Sequence, residues 1–342
     1  MKILIGLSGG LDSSYALEIL KNNGHEPEGA VLVMHDYTDT AGAERAAAEA
    51  GVKLHIIDCR EEFEREVVGN FLREYTSGRT PNPCTVCNRM VKFAALRRYA
   101  AENGFERIAT GHYAGVEMVE ETGRYYIKMG KDRKKDQSYM LWNLTQEQLS
   151  VLMLPLSGLE KTEVRESARE IGLSAAEMAE SQDICFIPDG DYAAFIEGRG
   201  ISSAPGDFVG ADGKVLGRHR GIIHYTIGQR RGLGVAAGER MFVSAIDPER
   251  GTITLLPGGG TCRSAEVAAL NFQKLAPCPA GTEMRLFVRL RYSAPPIPCT
   301  LHITGNGRGV IYFDEDVKSV TPGQSGVFYD SDGGIAAGGV IS

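Results

Sequence analysis

The chain of 342 residues lacks any apolar run that approaches the length of a membrane span, which takes about 20 residues. No apolar leader precedes its first predicted strand, so we expect no signal peptide and a cytoplasmic location. An excess of positive charge is also absent, because 37 Lys and Arg stand against 44 Asp and Glu, a formal net charge of −7. This balance excludes a surface coated in positive potential but not local basic patches. With 43% hydrophobic and 24% charged residues, the composition is typical of a globular protein of two or three domains.

Two common nucleotide-binding loops are missing as well. The sequence contains neither G-x-x-x-x-G-K-[ST], whose lysine reaches a γ-phosphate, nor the dinucleotide loop G-x-G-x-x-G. The chain begins instead with KILIGLSGGLDSSYALEILKNNG at residues 2–24. An apolar run typical of a buried strand breaks at Gly9 and Gly10, and a helical pattern follows. A strand, a glycine turn and a helix predict a phosphate site, where Ser8 and Ser13 can add donors and Asp12 could hold Mg²⁺.

Strands and helices alternate after this first unit. Strands are predicted at 29–34, 53–58 and 107–110, and helices at 41–50, 61–78 and 88–104. This alternation predicts an α/β fold with a doubly wound parallel sheet, whose ligands bind beyond the carboxyl ends of the strands. After about residue 200 the helical period disappears, which predicts a small β-rich central domain followed by a C-terminal β domain that is either a closed β-barrel or a sandwich. We expect domain boundaries at 1–202, 203–265 and 266–342.

The seven cysteines form an odd set, which in a reducing compartment predicts free thiols, ligands or catalysts. Cys84 and Cys87 form a C-x-x-C motif within residues 79–89. Two prolines in this segment predict a stiff, extended loop. The dipole of the following helix is expected to lower a thiol pKa there. No second C-x-x-C and no H-x-x-x-H completes a zinc site, and the flanking Pro-Asn-Pro is unlike a thioredoxin-type pair. Cys185 is either a third nucleophile or a small buried hydrophobic residue.

Long blocks of sequence carry a family resemblance that runs nearly end to end. SGGLDSS at 8–14 resembles the SGGxDSS loop of the PP-loop ATP pyrophosphatases, which cleave ATP between the α- and β-phosphates and form adenylates. The further blocks are GRTPNPCTVCNRMVKF at 78–93, ATGHYA at 109–114, KKDQSYML at 134–141, SQDICFI at 181–187, GRHRGIIHYTIGQRRGLG at 217–234, RLRYSAPP at 289–296 and TPGQSGVFYD at 321–330. Together they resemble the tRNA-specific 2-thiouridylases, which place sulfur on C2 of the wobble uridine. The resemblance implies a PP-loop ATPase domain of the adenine nucleotide alpha hydrolase type, followed by the two β domains, the last of which contacts tRNA.

The same resemblance implies roles for individual residues. ATP with Mg²⁺ would bind Gly6, Leu7, Ser8, Gly9, Gly10, Leu11, Asp12, Ser13, Met34 and Gly111. The target base would meet Asn82, Pro83 and Cys84, and the tRNA would contact His112, Lys135, Asp136, Gln137, Arg291, Tyr292 and Gln324. Cys87 matches the nucleophile and Cys185 the cysteine that carries a persulfide, with a transient Cys87–Cys185 disulfide between them. We therefore expect the fold to bring both thiols over the glycine turn.

Partners and alternatives follow from the same residues. The resemblance implies tRNA acceptors for Lys, Glu and Gln, and a cysteine desulfurase or sulfur-relay protein as the sulfur source. Basic residues at 131–135, 218–231 and 285–291 are expected to line one tRNA cleft, with Tyr292 or Tyr139 stacking on a base. Cys84 stands where one family pattern has aspartate, so Cys84, Cys87 and Cys185 could instead hold a [4Fe–4S] cluster. Two other functions stay open: an adenylating enzyme that uses an amine, and an RNA-binding or sulfur-relay scaffold without catalysis.

Overall fold

A parallel sheet forms the first part of the protein in a computed structural model that describes residues 1–178, 184–236, 238–318 and 320–342. The strands of this part are β1 (Lys2–Gly6), β2 (Glu26–Val33), β3 (Leu54–Asp58), β4 (Arg107–Ala109), the hairpin of β5 (Ala114–Val119) and β6 (Arg124–Met129), and β7 (Leu152–Met153). All strands of the main sheet are parallel, in the order β3-β2-β1-β4-β7. Residues 181–183, the start of the SQDICFI block, lie outside the described residues.

Helices cover both faces of this sheet. They span Leu11–Asn22, Thr40–Ala50, Arg60–Phe63, Gly69–Thr76, Pro83–Cys87, Phe93–Glu102, Gln146–Leu149, Lys161–Glu170 and Tyr192–Gly198, with π-helical segments at Glu64–Val68 and Asn88–Lys92 and single 3₁₀ turns at Ser138–Met140, Ser174–Glu177 and Ile222–His224. Leu17 packs in the core on one face, and Phe63 and Phe93 pack in the core on the other. The central strand β1 is buried and apolar at Ile3, Leu4 and Ile5, as both faces of the sheet are covered, and the predicted doubly wound parallel sheet is confirmed.

The prediction of an extended loop at 79–89 is wrong, because a helix begins inside it at Pro83. Asn82 caps this helix, its side-chain oxygen accepting a hydrogen bond from the backbone N–H of Thr85 at 3.4 Å. Pro83 occupies the first helical position, where its missing N–H has no acceptor to lose and its fixed φ suits the helix. The helix continues through the π-helical segment to Glu102. We call the whole of Pro83–Cys87, Asn88–Lys92 and Phe93–Glu102 the cysteine helix.

The two remaining parts are β structures. A four-stranded sheet in the order β10-β11-β8-β9 contains β8 (Gly206–Val209), β9 (Val215–His219), β10 (Met241–Asp247) and β11 (Thr252–Pro257). A closed barrel in the order β12-β15-β14-β13-β16-β17 contains β12 (Thr261–Phe272), β13 (Glu283–Arg289), β14 (Ile297–Gly305), β15 (Arg308–Lys318), β16 (Ser325–Tyr329) and β17 (Ile335–Ile341). The predicted β-rich centre and C-terminal barrel are confirmed, whereas the domain boundaries stay a prediction. Within the described ranges, no helix has both the length and the hydropathy needed to cross a membrane.

The barrel packs directly against the segment that follows β6. The Trp142 indole donates to the Ser325 hydroxyl at 2.9 Å, and the Tyr139 hydroxyl donates to the Ser325 carbonyl at 3.0 Å. Tyr139 is fully buried. It therefore exposes no face to a base, and the expectation that Tyr139 stacks on RNA is wrong.

Candidate active site

A cavity of about 720 Å³ lies beyond the carboxyl ends of β1, β2 and β4, where a parallel sheet binds its ligands. It is lined by Gly6, Leu7, Ser8, Asp12, Ser13, Ala30, Val31, Leu32, Met34, His35, Tyr37, Thr38, Asp39, Lys92, Thr110, Gly111, His112, Gln137, Ile184, Cys185 and Pro188. The glycine turn therefore shares one cavity with Met34, Gly111 and one of the predicted reactive cysteines. The sequence analysis had identified the glycine turn, Met34, Gly111 and Cys185 as site residues, but it had not identified Lys92.

The glycine turn is held rigidly by short contacts. Gly9 has a φ of +79°, and a Cβ there would lie 2.2 Å from the backbone of Gly42, so no larger residue fits. The Ser13 hydroxyl donates to the Gly10 carbonyl at 3.1 Å and accepts from the Ser8 N–H at 3.2 Å. A Cβ on Gly111 would lie 2.7 Å from the Asp12 carbonyl carbon, so Gly111 lets β4 approach the turn. The first turn of the following helix adds N–H groups without an intrahelical acceptor, which suits a phosphate.

Asp12 is already engaged in an ion pair. One carboxylate oxygen accepts from the Lys161 ammonium at 2.5 Å and from the Tyr113 hydroxyl at 2.8 Å. Lys161 is only 8% exposed and was missed by sequence reasoning, since nothing in its surroundings in the sequence links it to the turn. A carboxylate facing a phosphate site has the hard oxygen donors that Mg²⁺ requires, so Asp12 fits this ion chemically.

The structure places Cys185 in the wall of this cavity and Cys87 against Met34, another residue of the wall, although the two cysteines are far apart in the sequence. The sulfur of Cys87 lies 3.6 Å from the sulfur of Met34, which lines the cavity. Cys185 lines the cavity directly and is exposed, while Cys87 is buried. Cys84 lies one helical turn before Cys87 and is exposed. All seven cysteines are free thiols.

The expectation that the helix dipole lowers the thiol pKa is wrong for this site. Burial raises the pKa of Cys87 to about 12. Cys84 and Cys185 have exposed side chains, yet loss of hydration to the surrounding protein is still the largest cause of their raised pKa. Surrounding protein replaces water that would stabilise a thiolate, and this effect outweighs the favourable end of the helix. The positive charge of Lys92 acts in the opposite direction on the pKa of all three thiols.

His112 is neutral in this cavity. Burial is the main cause that lowers its pKa to about 3, and the charge of Lys92 lowers it further. Its Nδ1 is hydrogen-bonded to the Thr110 hydroxyl at 2.8 Å, which fixes the ring. Beside it, the Gln137 side chain accepts from the Tyr113 N–H at 3.0 Å. His112 and Gln137 therefore offer neutral polar groups to whatever binds there.

The other predicted tRNA contacts lie outside the cavity wall. Gln324 donates to the carbonyls of Thr80 and Pro81 at 3.0 and 3.1 Å, so it joins the barrel to the segment before the cysteine helix. Arg291 donates to the Thr321 hydroxyl at 2.9 Å, and Tyr292 is partly exposed. Lys135 is partly exposed and donates its backbone N–H to Asp132.

Asp136 differs from these residues because it is buried. It is 2% exposed and accepts from the Arg289 guanidinium at 2.6 Å and from the Ser138 hydroxyl at 2.7 Å. A direct contact with RNA is therefore closed to Asp136 in this structure. Its role here is to join the segment after β6 to the barrel strand β13.

The basic residues predicted to form one tRNA cleft are partly neutralised within the protein. Arg218 pairs with Asp207 at 3.2 Å, Lys131 pairs with Glu163 at 3.0 Å, and Arg285 pairs with Asp314. The single tRNA cleft stays a prediction. The three cysteines also fail the test for a cluster site, because no group of three metal-ligating side chains occurs among the described residues.

Comparisons with known proteins agree along the length of the chain. Family profiles described as the tRNA methyl transferase HUP domain, the tRNA methyl transferase PRC-barrel domain and the aminomethyltransferase beta-barrel domain match residues 1–189, 193–256 and 264–341. The tRNA-specific 2-thiouridylase MnmA of Geotalea uraniireducens is 41% identical, covering 98% of this chain and 94% of that protein. The chain belongs to the family of tRNA-specific 2-thiouridylases.

A second 2-thiouridylase, from Acetivibrio thermocellus, is 39% identical and covers 99% of both chains. A solved 4-thiouridine synthetase–RNA complex with bound ATP is 23% identical, covering 56% of this chain and 45% of that chain with a TM-score of 0.35. That likeness is too weak to add to the argument. Family membership rests on the 2-thiouridylase sequences, which align over all three parts of the fold.

Proposed function

We propose that this protein is an ATP-dependent tRNA 2-thiouridylase, a sulfurtransferase that replaces the C2 oxygen of the wobble uridine by sulfur. One observation carries the proposal. A glycine turn suited to phosphate shares one cavity with Cys185, and Cys87 contacts Met34 in the cavity wall, in a chain that aligns with a 2-thiouridylase over 98% of its length. The reaction releases AMP and pyrophosphate.

ATP is the substrate of the first step. The backbone from Gly6 to Ser13 would hold its phosphates, with Met34 and Gly111 beside the nucleotide, as their positions in the cavity wall support. The C2 oxygen of the uridine attacks the α-phosphorus, the bond to the β-phosphate breaks, and pyrophosphate leaves. Asp12 would hold Mg²⁺, which supplies positive charge to the phosphates when bound.

Sulfur transfer completes the reaction. A persulfide on Cys185, having lost its proton to solvent, attacks C2 with its outer sulfur, and AMP leaves with the electrons of the C–O bond. The thiolate of Cys87 then attacks the inner sulfur, so that the S–S bond breaks and sulfur stays on C2. The base nitrogen N3, which loses its proton on adenylation, regains it. The resulting Cys87–Cys185 disulfide needs two electrons from a cellular thiol reductant before the next turnover.

The tRNA must present its base to this cavity by taking it out of the stack. Residues proposed to meet the base or the RNA around it are Asn82, Pro83, Cys84, His112, Gln137, Lys135, Arg291, Tyr292 and Gln324. The neutral ring of His112 and the amide of Gln137 support recognition by hydrogen bonds rather than by charge. The acceptors for Lys, Glu and Gln are the proposed tRNA set.

Other parts of the proposal concern the cellular setting. A cysteine desulfurase or sulfur-relay protein supplies the persulfide, and the cytoplasm is the proposed location because the reaction needs reduced thiols. The domain division at 1–202, 203–265 and 266–342 is retained as a proposal. A [4Fe–4S] route is not part of it, since Cys84, Cys87 and Cys185 do not form a ligand set among the described residues.

The test is mass spectrometry of wobble uridines from cells that lack the protein and are complemented with variants. Wild type should restore 2-thiouridine, and Cys185→Ala should not. Cys262→Ala is the matched control, because this cysteine lies on β12, away from the cavity lining, and its variant should restore the modification. Wobble uridine that stays unthiolated with wild type present, or a methylated base in its place, would overturn the proposal.

Three in vitro measurements separate the alternatives. ATP–pyrophosphate exchange that depends on tRNA is expected for the enzyme and not for a binding scaffold. Full activity of Cys185→Ser with an ammonia donor is expected only of an amine-using adenylating enzyme. Anaerobic purification with iron and labile-sulfide analysis should give an iron-free protein that remains active with a persulfide donor.

A further inference from the structure

Lys92 reaches the active site because the cysteine helix contains a π turn. In an ordinary α-helix, residues three or four apart share a face, so a residue five positions after Cys87 points elsewhere. The segment Asn88–Lys92 is π-helical instead, and the N–H of Phe93 donates to the carbonyl of Asn88, five residues earlier. One consequence is that the backbone N–H of Lys92 lies close enough to the Cys87 thiol to lower its pKa.

The charge of Lys92 is isolated in the cavity. Among the described residues that line the cavity, Lys92 is the one lysine or arginine. The titratable groups that face it are Cys84, Cys87, Cys185 and His112. Elsewhere the cavity wall contains Asp12, His35, Tyr37 and Asp39. Because His112 is neutral, it adds no second cation beside the sulfur atoms.

We propose that Lys92 is a catalytic residue that stabilises the sulfur anions of this site, the persulfide on Cys185 and the thiolate of Cys87. This inference rests on the proposed function and adds a residue to its machinery. Both steps of sulfur transfer need a sulfur anion in a place where burial disfavours negative charge. The ammonium of Lys92 supplies the opposing charge from the side chain, and its backbone N–H also lowers the pKa of the Cys87 thiol. Substitution of the side chain removes only the first of these, which makes the contribution of the ammonium measurable.

The experiment compares wild type, Lys92→Gln and Lys92→Arg, with Lys53→Gln, an exposed residue directly before β3, as a remote control. The first readout is the rate of iodoacetamide alkylation of Cys87 and Cys185 between pH 7 and 10, resolved by peptide mass spectrometry without RNA or ATP. Lys92→Gln should slow alkylation of Cys87 by about tenfold at pH 8, as expected for a loss of one nearby positive charge. Lys92→Arg and Lys53→Gln should stay near the wild-type rate.

The second readout is single-turnover sulfur transfer from persulfide-loaded enzyme. Lys92→Gln should slow transfer by at least about tenfold more than it slows tRNA-dependent ATP–pyrophosphate exchange, since adenylation forms no sulfur anion. Equal alkylation rates in wild type and folded Lys92→Gln would overturn the inference, as would failure of Lys92→Arg to retain the rate. If wild type thiolated no tRNA, the proposed function would fail, yet the alkylation rates would still decide the role of Lys92.

Discussion

At the scale of single residues, burial decides the protonation state of the groups in this cavity. Cys87 is held as a thiol with a pKa of about 12, and His112 is held as a neutral ring with a pKa of about 3. Both shifts have the same main cause, because each charged form loses more hydration than the protein returns. The sequence identified both residues but not these states, since burial depends on the packing of distant segments. A histidine beside a phosphate site suggests a cation, and here it is not one.

The state of His112 predicts a pH dependence of stability. Its pKa in the folded protein lies well below the ordinary value of 6.5, so between the two values the unfolded chain binds a proton that the folded protein does not. Stability contributed by this site is therefore complete above about pH 6.5 and is lost as the pH falls toward 3. His112→Asn should lose less of its melting temperature between pH 7.5 and 5 than wild type does. Scanning calorimetry at both pH values measures this, and equal losses in the two proteins would contradict the assignment.

At the scale of elements, the sequence predicted the cysteine helix from Asn88 onward but not its first turns. The two prolines at 81 and 83 indicated an extended loop, yet Pro83 starts the helix and Asn82 caps it. The pair Asn-Pro is itself a signal for a helix start, because asparagine caps a helix and proline suits its first position. The π turn at Asn88–Lys92 was not available, because a π turn reflects packing rather than a residue preference. The role of Lys92 was missed for that reason.

Removal of the cap on the cysteine helix should be measurable. Asn82→Ala should lower the free energy of unfolding by about 1 kcal/mol, because the N–H of Thr85 loses its acceptor. Asn82→Ser keeps a capping oxygen without charge and should stay within a few tenths of a kcal/mol of wild type. Urea denaturation of the three proteins gives these values. An alanine variant as stable as the serine variant would show that Asn82 does not act as a cap.

At the scale of the whole molecule, the three parts of the chain share buried contacts. One apolar core contains Phe93 from the cysteine helix, Phe208 from β8 and Val327 from β16. The buried ion pair of Asp136 and Arg289 adds a polar link between the parallel-sheet part and the barrel. The sequence predicted an α/β part followed by β structure, since the helical period ends near residue 200. It could not predict how they pack together, because Asp136 and Gln324 look like exposed polar residues until the barrel is docked.

The barrel loop before β16 acts as a support for the start of the cysteine helix, and a pair of glycines tests this. Gly323 has a φ of +89°, and a Cβ there would lie 2.7 Å from the carbonyl oxygen of Thr80. Gly281 has a φ of +86°, but a Cβ there would meet nothing within 4 Å. Alanine at either position should cost about 1 kcal/mol in backbone strain. Only Gly323→Ala should also push the segment that leads to Asn82 and Cys84.

We therefore expect Gly323→Ala to lower the turnover of tRNA thiolation by at least about tenfold, because a displacement near 1 Å at a reacting group can cost about a hundredfold. Gly281→Ala should keep wild-type turnover although it carries the same backbone strain. Urea denaturation and steady-state thiolation of both variants provide the comparison. If both variants lost turnover equally, general destabilisation would explain the effect. If neither lost any, the barrel would not position the cysteine helix, and the bonds from Gln324 to Thr80 and Pro81 would serve stability alone.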